Sequence, residues 1–169
     1  MRISTKTRRF LEVSANIAIL IVAIIVVGNF IWSRWRPKQQ VEEPTVGSKV
    51  SLPGINWADG TTLVLALQQG CRYCEESAAF YRRLRDQRSG SQPRMVAVIP
   101  GDKTKVARYL SEQGVIVDDI INLSLAEIKV SATPTLLLVD RSGKVSDVWV
   151  GKLDARKENE VTQRILNSH

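Results

Sequence analysis

Apolar and polar residues are unevenly distributed along the chain, and the longest apolar stretch stands near its beginning. Residues 13–33 contain no charged side chain and are bounded by Glu12 and Arg34. As a helix, this stretch would span about 30 Å, the thickness of the hydrocarbon core of a bilayer. Trp32 and Trp35 stand at one end, where amphipathic rings favour the membrane interface. The pattern predicts a transmembrane anchor over residues 13–33.

Two other interpretations of this stretch fit less well. A cleaved signal peptide has a shorter apolar region of roughly 7–15 residues and ends at a small-residue site of the A-x-A kind, which does not follow here. A buried helix of a soluble domain would show a polar face, whereas residues 17–27 are apolar throughout. An uncleaved anchor therefore remains the prediction.

Further along, short apolar runs alternate with amphipathic stretches, which is the pattern of an α/β domain. Extended segments are predicted at Val50–Leu52, Thr62–Leu67, Met95–Ile99, Val115–Val117, Thr135–Val139 and Val145–Val150. Helices are predicted at Glu75–Arg88, Lys103–Gln113 with Asp102 as its cap, Leu125–Ile128 as a single turn, and Asp154–Leu166. Strands separated by helices favour parallel pairing, whereas the turn at Arg141–Lys144 makes the last two strands an antiparallel hairpin. The fold class is therefore α/β, with a central mixed sheet flanked by helices.

The periodicity of the helices also predicts which side chains are buried. Ala78, Tyr81 and Leu84 share one face of the first long helix. The arginines of the same helix are interpreted as a solvated face; they are Arg82, Arg83, Arg85 and Arg88. In the last helix, Val161 and Leu166 are expected to face the core.

These patterns divide the chain into four parts. Residues 1–12 form a basic flank, residues 13–33 the anchor, residues 34–48 a polar juxtamembrane linker, and residues 49–169 the α/β domain. The domain is long enough to bury a core without covalent cross-links. We therefore expect one folded domain behind a tether.

Charge follows the same division. The chain has 24 Lys and Arg residues and 17 Asp and Glu residues, which gives a net charge of +7. Residues 1–38 hold seven of the basic residues and one of the acidic ones, so residues 39–169 are left with 17 basic and 16 acidic residues. Basic flanks beside an apolar span contact anionic lipid headgroups. The domain itself has no basic field for a nucleic acid, so the expected partners are the bilayer through residues 13–33 and proteins, with no nucleic acid.

The only two cysteines of the chain are Cys71 and Cys74, which follow a predicted strand and open a predicted helix. Neighbours at this spacing in a tight first helical turn can bond or separate with little movement of the backbone. The N–H groups of a helix amino terminus, and Arg72 beside them, favour a thiolate. Cys71, the earlier residue, is expected to attack, and Cys74 to resolve the resulting mixed disulfide. The spacing therefore favours a reversible redox couple.

Other uses of two cysteines are less compatible with the sequence. A structural disulfide over so short a loop would constrain the unfolded chain little. A closed zinc site needs about four ligands, and the chain offers two cysteines and one histidine, His169. Haem attachment would require a histidine directly after Cys74, where Glu75 stands. No dissociable cofactor and no metal are expected.

With its later motifs the chain resembles the thioredoxin superfamily. The resemblance rests on Cys71-Arg72-Tyr73-Cys74 after a strand and on Ala132-Thr133-Pro134-Thr135 before another, and it covers roughly residues 48–166. Together with the predicted anchor, it is most similar to tethered TlpA/ResA-like thiol–disulfide oxidoreductases. The resemblance implies a thioredoxin-like fold, a cis peptide bond at Pro134 beside the cysteines, and an extended substrate segment paired with the backbone of Thr133. Tyr73 is expected to shape the same substrate surface.

Several positions depart from the pattern of that superfamily. Gly70 precedes the first cysteine where tryptophan is usual, Leu65 replaces a buried acid, and Ser77 replaces a glutamate. The group that handles protons is therefore unassigned; Glu75 and Glu76 are nearby, but a solvated pair in the first helical turn is the simpler interpretation.

The expected function is that of a membrane-tethered thiol–disulfide oxidoreductase that exchanges disulfides with extracytoplasmic protein clients and with a membrane redox partner. The charges around the span favour one topology only slightly, and the resemblance implies a bacterial cytoplasmic membrane with the domain on its outer, periplasmic side. A non-catalytic thioredoxin-fold assembly module is the alternative. A peroxide-reducing enzyme fits poorly, because Leu67–Gly70 lacks the Pro- and Thr-rich approach to a peroxidatic cysteine.

Overall fold

A computed structural model of the chain describes residues 19–29, 43–88, 90 and 93–167. The chain separates into two compact units, residues 1–40 and residues 41–169. In the first unit, residues 19–29 form helix α1, whose aliphatic side chains are exposed. The helices of the described residues are all too short or too polar to cross a membrane. The predicted flank 1–12, much of the predicted anchor 13–33 and the linker as far as residue 42 lie outside the described residues.

The second unit is built from five strands and four α-helices in its described part. The strands are β1 (Thr62–Ala66), β2 (Arg94–Val98), β3 (Asp119–Ile121), β4 (Thr135–Val139) and β5 (Val145–Val150). The helices are α2 (Arg72–Glu76), α3 (Ala78–Gln87), α4 (Lys103–Glu112) and α5 (Ala155–Leu166), with short 3₁₀ turns at Trp57–Asp59 and Leu125–Ile128. The sheet order is β3-β2-β1-β4-β5. The predicted α/β fold with a mixed sheet is confirmed.

The pairing of the strands decides where the ends of the loops meet. β1 is parallel to β2, and β2 is parallel to β3, as the helices between them predict. β4 is antiparallel to both β1 and β5. Because Ala66 at the end of β1 is paired with Thr135 at the start of β4, the loop after β1 and the loop before β4 lie at the same edge of the sheet.

Two apolar layers enclose the sheet. Alternate residues of the strands, including Leu65 and Leu136, pack against α2, α3, α4 and α5 on one face. The residues between them, including Val64 and Leu137, pack on the other face against irregular segments around Leu52 and Val130. β1 and β4 are buried along their whole length, which explains their continuous apolar sequences.

Several element predictions need correction. Val50–Leu52 is not a strand: an isolated bridge pairs the preceding Lys49 with Lys144, and the Val50 amide donates to the carbonyl oxygen of Gly143, although Val50 and Leu52 are buried. The extended piece predicted at Val115–Val117 is replaced by β3 a few residues later, an edge strand of only three residues, of which Ile121 alone is buried.

The helix predicted over Glu75–Arg88 is divided at Ser77. The Ser77 hydroxyl donates to the carbonyl oxygen of Tyr73 at 2.7 Å, and α3 begins again at Ala78. A serine that bonds the carbonyl four residues earlier commonly bends a helix. The short α2 therefore carries the cysteines, and α3 provides the packing face.

Two side-chain predictions are also wrong. Ile165 rather than Leu166 faces the core from α5, because one step along a helix rotates a side chain by about 100°. Arg88 is not part of a solvated face: its side chain is 8% exposed and pairs with Asp118 through both Nη atoms. Ala78, Tyr81 and Leu84 are buried together as predicted.

The segment assigned to the end of the linker belongs to the described structure of the domain. Pro44 is buried, and the Gly47 amide donates to the carbonyl oxygen of Val145 at 2.7 Å. The Glu43 carboxylate accepts a hydrogen bond from the Ser131 hydroxyl. Residues 43–48 therefore lie against the domain.

Candidate functional site

The two cysteines form a disulfide at the start of α2. Cys71 is the N-cap residue with an extended backbone, and its sulfur accepts a hydrogen bond from the Cys74 amide at 3.2 Å. The two Cα atoms are 5.2 Å apart, within the range of ordinary disulfides. Cys71 is half-buried, whereas Cys74 is 2% exposed. The pair therefore has one sulfur near the surface and the other buried behind it.

Gly70 fixes the direction from which the chain reaches the first cysteine. It adopts a φ of +71°, a conformation that residues with a Cβ rarely take, and the space beside it is open. The backbone conformation therefore favours glycine at this position, and a lack of space for a side chain is not the reason. The positive φ is a physical reason for glycine at this position, where the resemblance implies tryptophan.

The loop before β4 lies against Cys71. The sulfur of Cys71 is 3.4 Å from the Thr133 hydroxyl and 3.6 Å from the Thr133 carbonyl oxygen. The peptide bond between Thr133 and Pro134 is cis, as the resemblance implies. The Pro134 carbonyl oxygen accepts a hydrogen bond from the Gly151 amide at 2.7 Å, which connects this loop to the one that follows β5. The structure thus brings together Cys71, Cys74, Thr133 and Pro134, four of the five predicted site residues.

Tyr73, the fifth, stands between the cysteines and is 56% exposed. Its backbone carbonyl accepts hydrogen bonds from the amide and the hydroxyl of Ser77. These bonds fix the backbone at Tyr73 and leave its ring at the surface of the site. That position is compatible with contact to a client, and the role of Tyr73 in substrate binding stays a prediction.

An ion cluster borders the cysteine pair. Glu76 accepts from Arg72 Nε and from Lys152 Nζ, each at 2.7 Å. The hydrogen bonds from Lys152 and then Arg72 hold the pKa of Glu76 below its usual value. Glu76 is therefore ionised and paired, whereas the sequence suggested only a solvated acid.

Behind Cys74 the surroundings are apolar apart from the hydroxyl groups of Ser77 and Tyr81, to which the sequence analysis assigned no chemical role. Leu65 is fully buried, and in the described part of the domain no carboxylate replaces it within the core. Ser77 and Tyr81, four residues apart on one helical face, are both buried. Burial raises the pKa of Tyr81, and its hydroxyl makes no hydrogen bond of normal geometry although Ser77 lies close to it. The Ser77 hydroxyl donates its proton to the Tyr73 carbonyl oxygen, so it is not a donor to Tyr81.

The described residues also allow a check for metal ligands. Among them, no group of three or more His, Cys, Asp or Glu side chains is placed to hold a metal ion. His169 lies outside the described residues. The side-chain atoms at the site that a metal could contact are the two sulfurs of the disulfide and the hydroxyl oxygen of Thr133.

Comparisons with known proteins identify the fold. The chain matches no protein-family model and no curated protein sequence. Among solved structures, it is similar to a thiol–disulfide isomerase from Corynebacterium glutamicum (16% identity, TM-score 0.56), covering 75% of this chain and 96% of that one. It is also similar to a putative thiol:disulfide interchange protein DsbE from Chlorobium tepidum (19% identity, TM-score 0.58, 75% and 99% covered) and to StoA from Bacillus subtilis (13%, 0.52, 70% and 93%). The domain therefore has the thioredoxin-like fold that these proteins share.

Proposed function

We propose that the protein is a membrane-tethered thiol–disulfide oxidoreductase that exchanges disulfides with protein clients. The observation that carries the proposal is the Cys71–Cys74 disulfide, with a half-buried first sulfur beside Thr133 and a buried second sulfur. The fold and the named activities of the similar structures support the same reaction class. Because these structures share less than 20% identity with the chain, they do not identify its clients.

The chemistry follows from the different exposure of the two sulfurs. In the reduced protein, the Cys71 thiolate attacks one sulfur of a client disulfide, the client S–S bond breaks, and one client sulfur leaves as a thiolate. Cys74, as a thiolate, then attacks the Cys71 sulfur, which forms the Cys71–Cys74 bond and releases the second client thiolate. Two electrons pass to the client, and two protons are taken up by its thiols. The oxidised protein performs the same steps in reverse.

Each neighbouring group has a part in this exchange. The Cys74 amide, 3.2 Å from the Cys71 sulfur, and the Thr133 hydroxyl, 3.4 Å from it, donate to that sulfur and stabilise it as a thiolate. The backbone of Thr133 presents an extended client segment beside the sulfur. Pro134 fixes the path of that loop, and the exposed ring of Tyr73 contacts the client.

The proposal includes a location for the reaction. Residues 13–33 anchor the chain in a bacterial cytoplasmic membrane, and the domain works on the extracytoplasmic side, where disulfides persist. The uncharged sequence of this stretch and the exposed aliphatic side chains of α1 support the anchor. A second thiol protein in the same membrane would supply or remove electrons.

The exchange is tested with the full chain in a mild detergent and glutathione disulfide as the defined oxidant. Reduced Cys74→Ala should form a stable glutathione adduct at Cys71, measurable by mass, whereas the wild-type chain should pass through the adduct to the intramolecular disulfide. Cys71→Ser is the matched control and should form no lasting adduct. Absence of any adduct on Cys74→Ala would overturn the proposal.

The membrane location has its own test. The full chain should remain with membranes after alkaline extraction, and protease added to cells without an outer membrane should digest the domain. Release by alkali, or protection from the protease, would contradict the anchor or the topology without affecting the exchange chemistry.

A non-catalytic assembly module is the second candidate, and one observation favours it. The core behind Cys74 offers Leu65 where a buried acid would accept a proton, and Glu76 is already paired with two cations. If this candidate is correct, replacing both cysteines with serine leaves cellular function intact. Loss of function in that double variant, with the fold preserved, would exclude it.

A further inference from the structure

Glu76 connects two parts of the site that are distant in sequence. Its Oε1 atom accepts from Arg72, the residue directly after Cys71, and its Oε2 atom accepts from Lys152. Both distances are 2.7 Å, so each oxygen of the carboxylate has a cationic partner. One side chain thus holds both Arg72, which follows Cys71 in the chain, and Lys152.

Lys152 belongs to the loop that supports the client-binding segment. Its neighbour Gly151 donates to the carbonyl oxygen of Pro134, and Thr133 contacts Cys71. The contact between Glu76 and Lys152 therefore joins α2 to the same loop that holds the cis-proline segment. The carboxylate can influence the site through geometry as well as through charge.

The positions of the two cations matter for a thiolate at Cys71. An unpaired cation within a few ångströms stabilises a thiolate and favours the dithiol form over the disulfide. Arg72 is bonded to a residue four positions further along the helix, and Lys152 is bonded to the same carboxylate. Both cations are thus partly neutralised and oriented toward Glu76 instead of the sulfur.

We propose that Glu76 is a positioning residue that holds Arg72 and Lys152 away from Cys71 and keeps the cysteine couple more reducing than it would be with those cations free. This inference rests on the proposed exchange function and adds the group that tunes it. Glu76 acts on the couple through Arg72 and Lys152, because its described hydrogen bonds go to these two cations and not to the sulfurs.

Other ionisable groups surround Cys71 and enter the same balance. From α2 these are Tyr73 and Glu75 besides the cluster itself, and from α4 it is Tyr109, which packs against the core beside the cysteines. Burial and the nearby charge of Glu75 raise the pKa of Tyr109, so it stays neutral at the pH of the experiment. Glu75 is the matched control, since it carries the same charge one residue earlier without a cation in the described ion pairs.

The experiment measures alkylation of the reduced full chain by iodoacetamide between pH 5 and 9, together with the equilibrium with glutathione. Glu76→Gln should increase the alkylation rate of Cys71 at pH 6 by about three- to tenfold and shift the glutathione equilibrium toward the dithiol by a similar factor. Lys152→Met should change either value less than about twofold in the wild-type background, because that charge is already paired. In the Glu76→Gln background, Lys152→Met should remove at least half of the gain.

If Lys152→Met has a larger effect in the Glu76→Gln background than in the wild type, the gain in Glu76→Gln comes from release of the cations. If its effect is the same in both, the gain comes only from removal of a negative charge. Glu75→Gln removes a charge without releasing a cation, so Lys152→Met should keep its small effect there. The proposal would be overturned if Glu75→Gln and Glu76→Gln changed the alkylation rate equally and the effect of Lys152→Met were the same in all backgrounds. Circular dichroism verifies that each variant is folded.

The same measurements distinguish this proposal from the one on which it rests. If the wild-type cysteines do not exchange with glutathione at all, the oxidoreductase function fails. If the wild-type chain exchanges normally and the variants show no dependence on each other, only the role of Glu76 fails.

Discussion

The hydroxyl of Thr133 lies 3.4 Å from the sulfur of Cys71, although 62 positions separate the two residues. The pairing of Ala66 with Thr135 produces this contact, because it places the end of β1 beside the start of β4. Cys71 follows the first of these strands, and Thr133 precedes the second. The loop that carries Cys71 and the loop that carries Thr133 therefore meet as a consequence of strand register.

The first prediction concerns the Thr133 hydroxyl. Thr133→Val keeps the shape of the side chain and removes the donor to the Cys71 thiolate, so alkylation of the reduced protein at pH 7 should slow about threefold. The pH dependence of iodoacetamide alkylation measures the change. Ser131→Ala, in the same loop but bonded to Glu43, should leave the rate within twofold. An unchanged rate in Thr133→Val would show that the hydroxyl does not stabilise the thiolate.

The second prediction concerns the partly exposed ion pair that Asp118 forms with Arg88. Asp118 also accepts from the Met95 amide at 2.8 Å, so it joins the end of α3 to β2. Asp118→Asn should destabilise the domain by about 1–2 kcal/mol in urea unfolding at pH 7. Asp119→Asn, at a neighbouring pair with more exposed side chains, should cost less than about 1 kcal/mol.

The same pair gives a pH dependence with a defined sign. Hydrogen bonds from Arg88 hold the pKa of Asp118 below its ordinary value in the folded protein. A carboxyl group with a depressed folded pKa contributes stability that is fully present above its unfolded pKa of about 3.9 and is lost as the pH falls through the folded value. The stability difference between wild type and Asp118→Asn should therefore shrink below about pH 4. A constant difference down to pH 2 would assign the effect to packing.

The third prediction concerns the Tyr81 hydroxyl, which is buried without a hydrogen bond of normal geometry. Removing an unsatisfied buried polar group relieves its desolvation cost, so Tyr81→Phe should stabilise the domain by about 1 kcal/mol. Tyr109→Phe, at a half-buried position, should change stability by less than about 0.5 kcal/mol. Thermal and urea unfolding measure both. Destabilisation of Tyr81→Phe by more than 1 kcal/mol would indicate that the hydroxyl has a partner, such as an internal water molecule.

Local sequence signals predicted most elements of the domain because their causes are local. The apolar run of β4 and the turn after it need only burial and chain reversal, and their bounds match the prediction. Asp102 caps α4 through bonds to the amides of Thr104 and Lys105, which is a contact within one helical turn. The spacing of the two cysteines likewise implied a redox pair before any tertiary contact was known.

The errors occurred where a distant residue decided the outcome. The sequence indicates a surface position for Arg88, whereas the structure places Asp118, the residue before β3, beside it. β3 itself is a three-residue edge strand, too short for its two isoleucines to show a periodic pattern. Similarly, Lys152 lies 76 positions from Glu76, and no periodicity connects them.

The amino-acid sequence by itself determined the composition of the strands, the helix caps and a cysteine pair spaced for reversible bonding, since each depends on neighbours within a few residues. Tertiary structure alone decided that Thr133 meets Cys71, that Cys74 is the buried sulfur, and that Glu76 holds two cations beside them. The physical reason is that pairing between β1 and β4 and packing of α2 on the sheet bring together groups whose interaction energies depend on distance in space and not on distance along the chain.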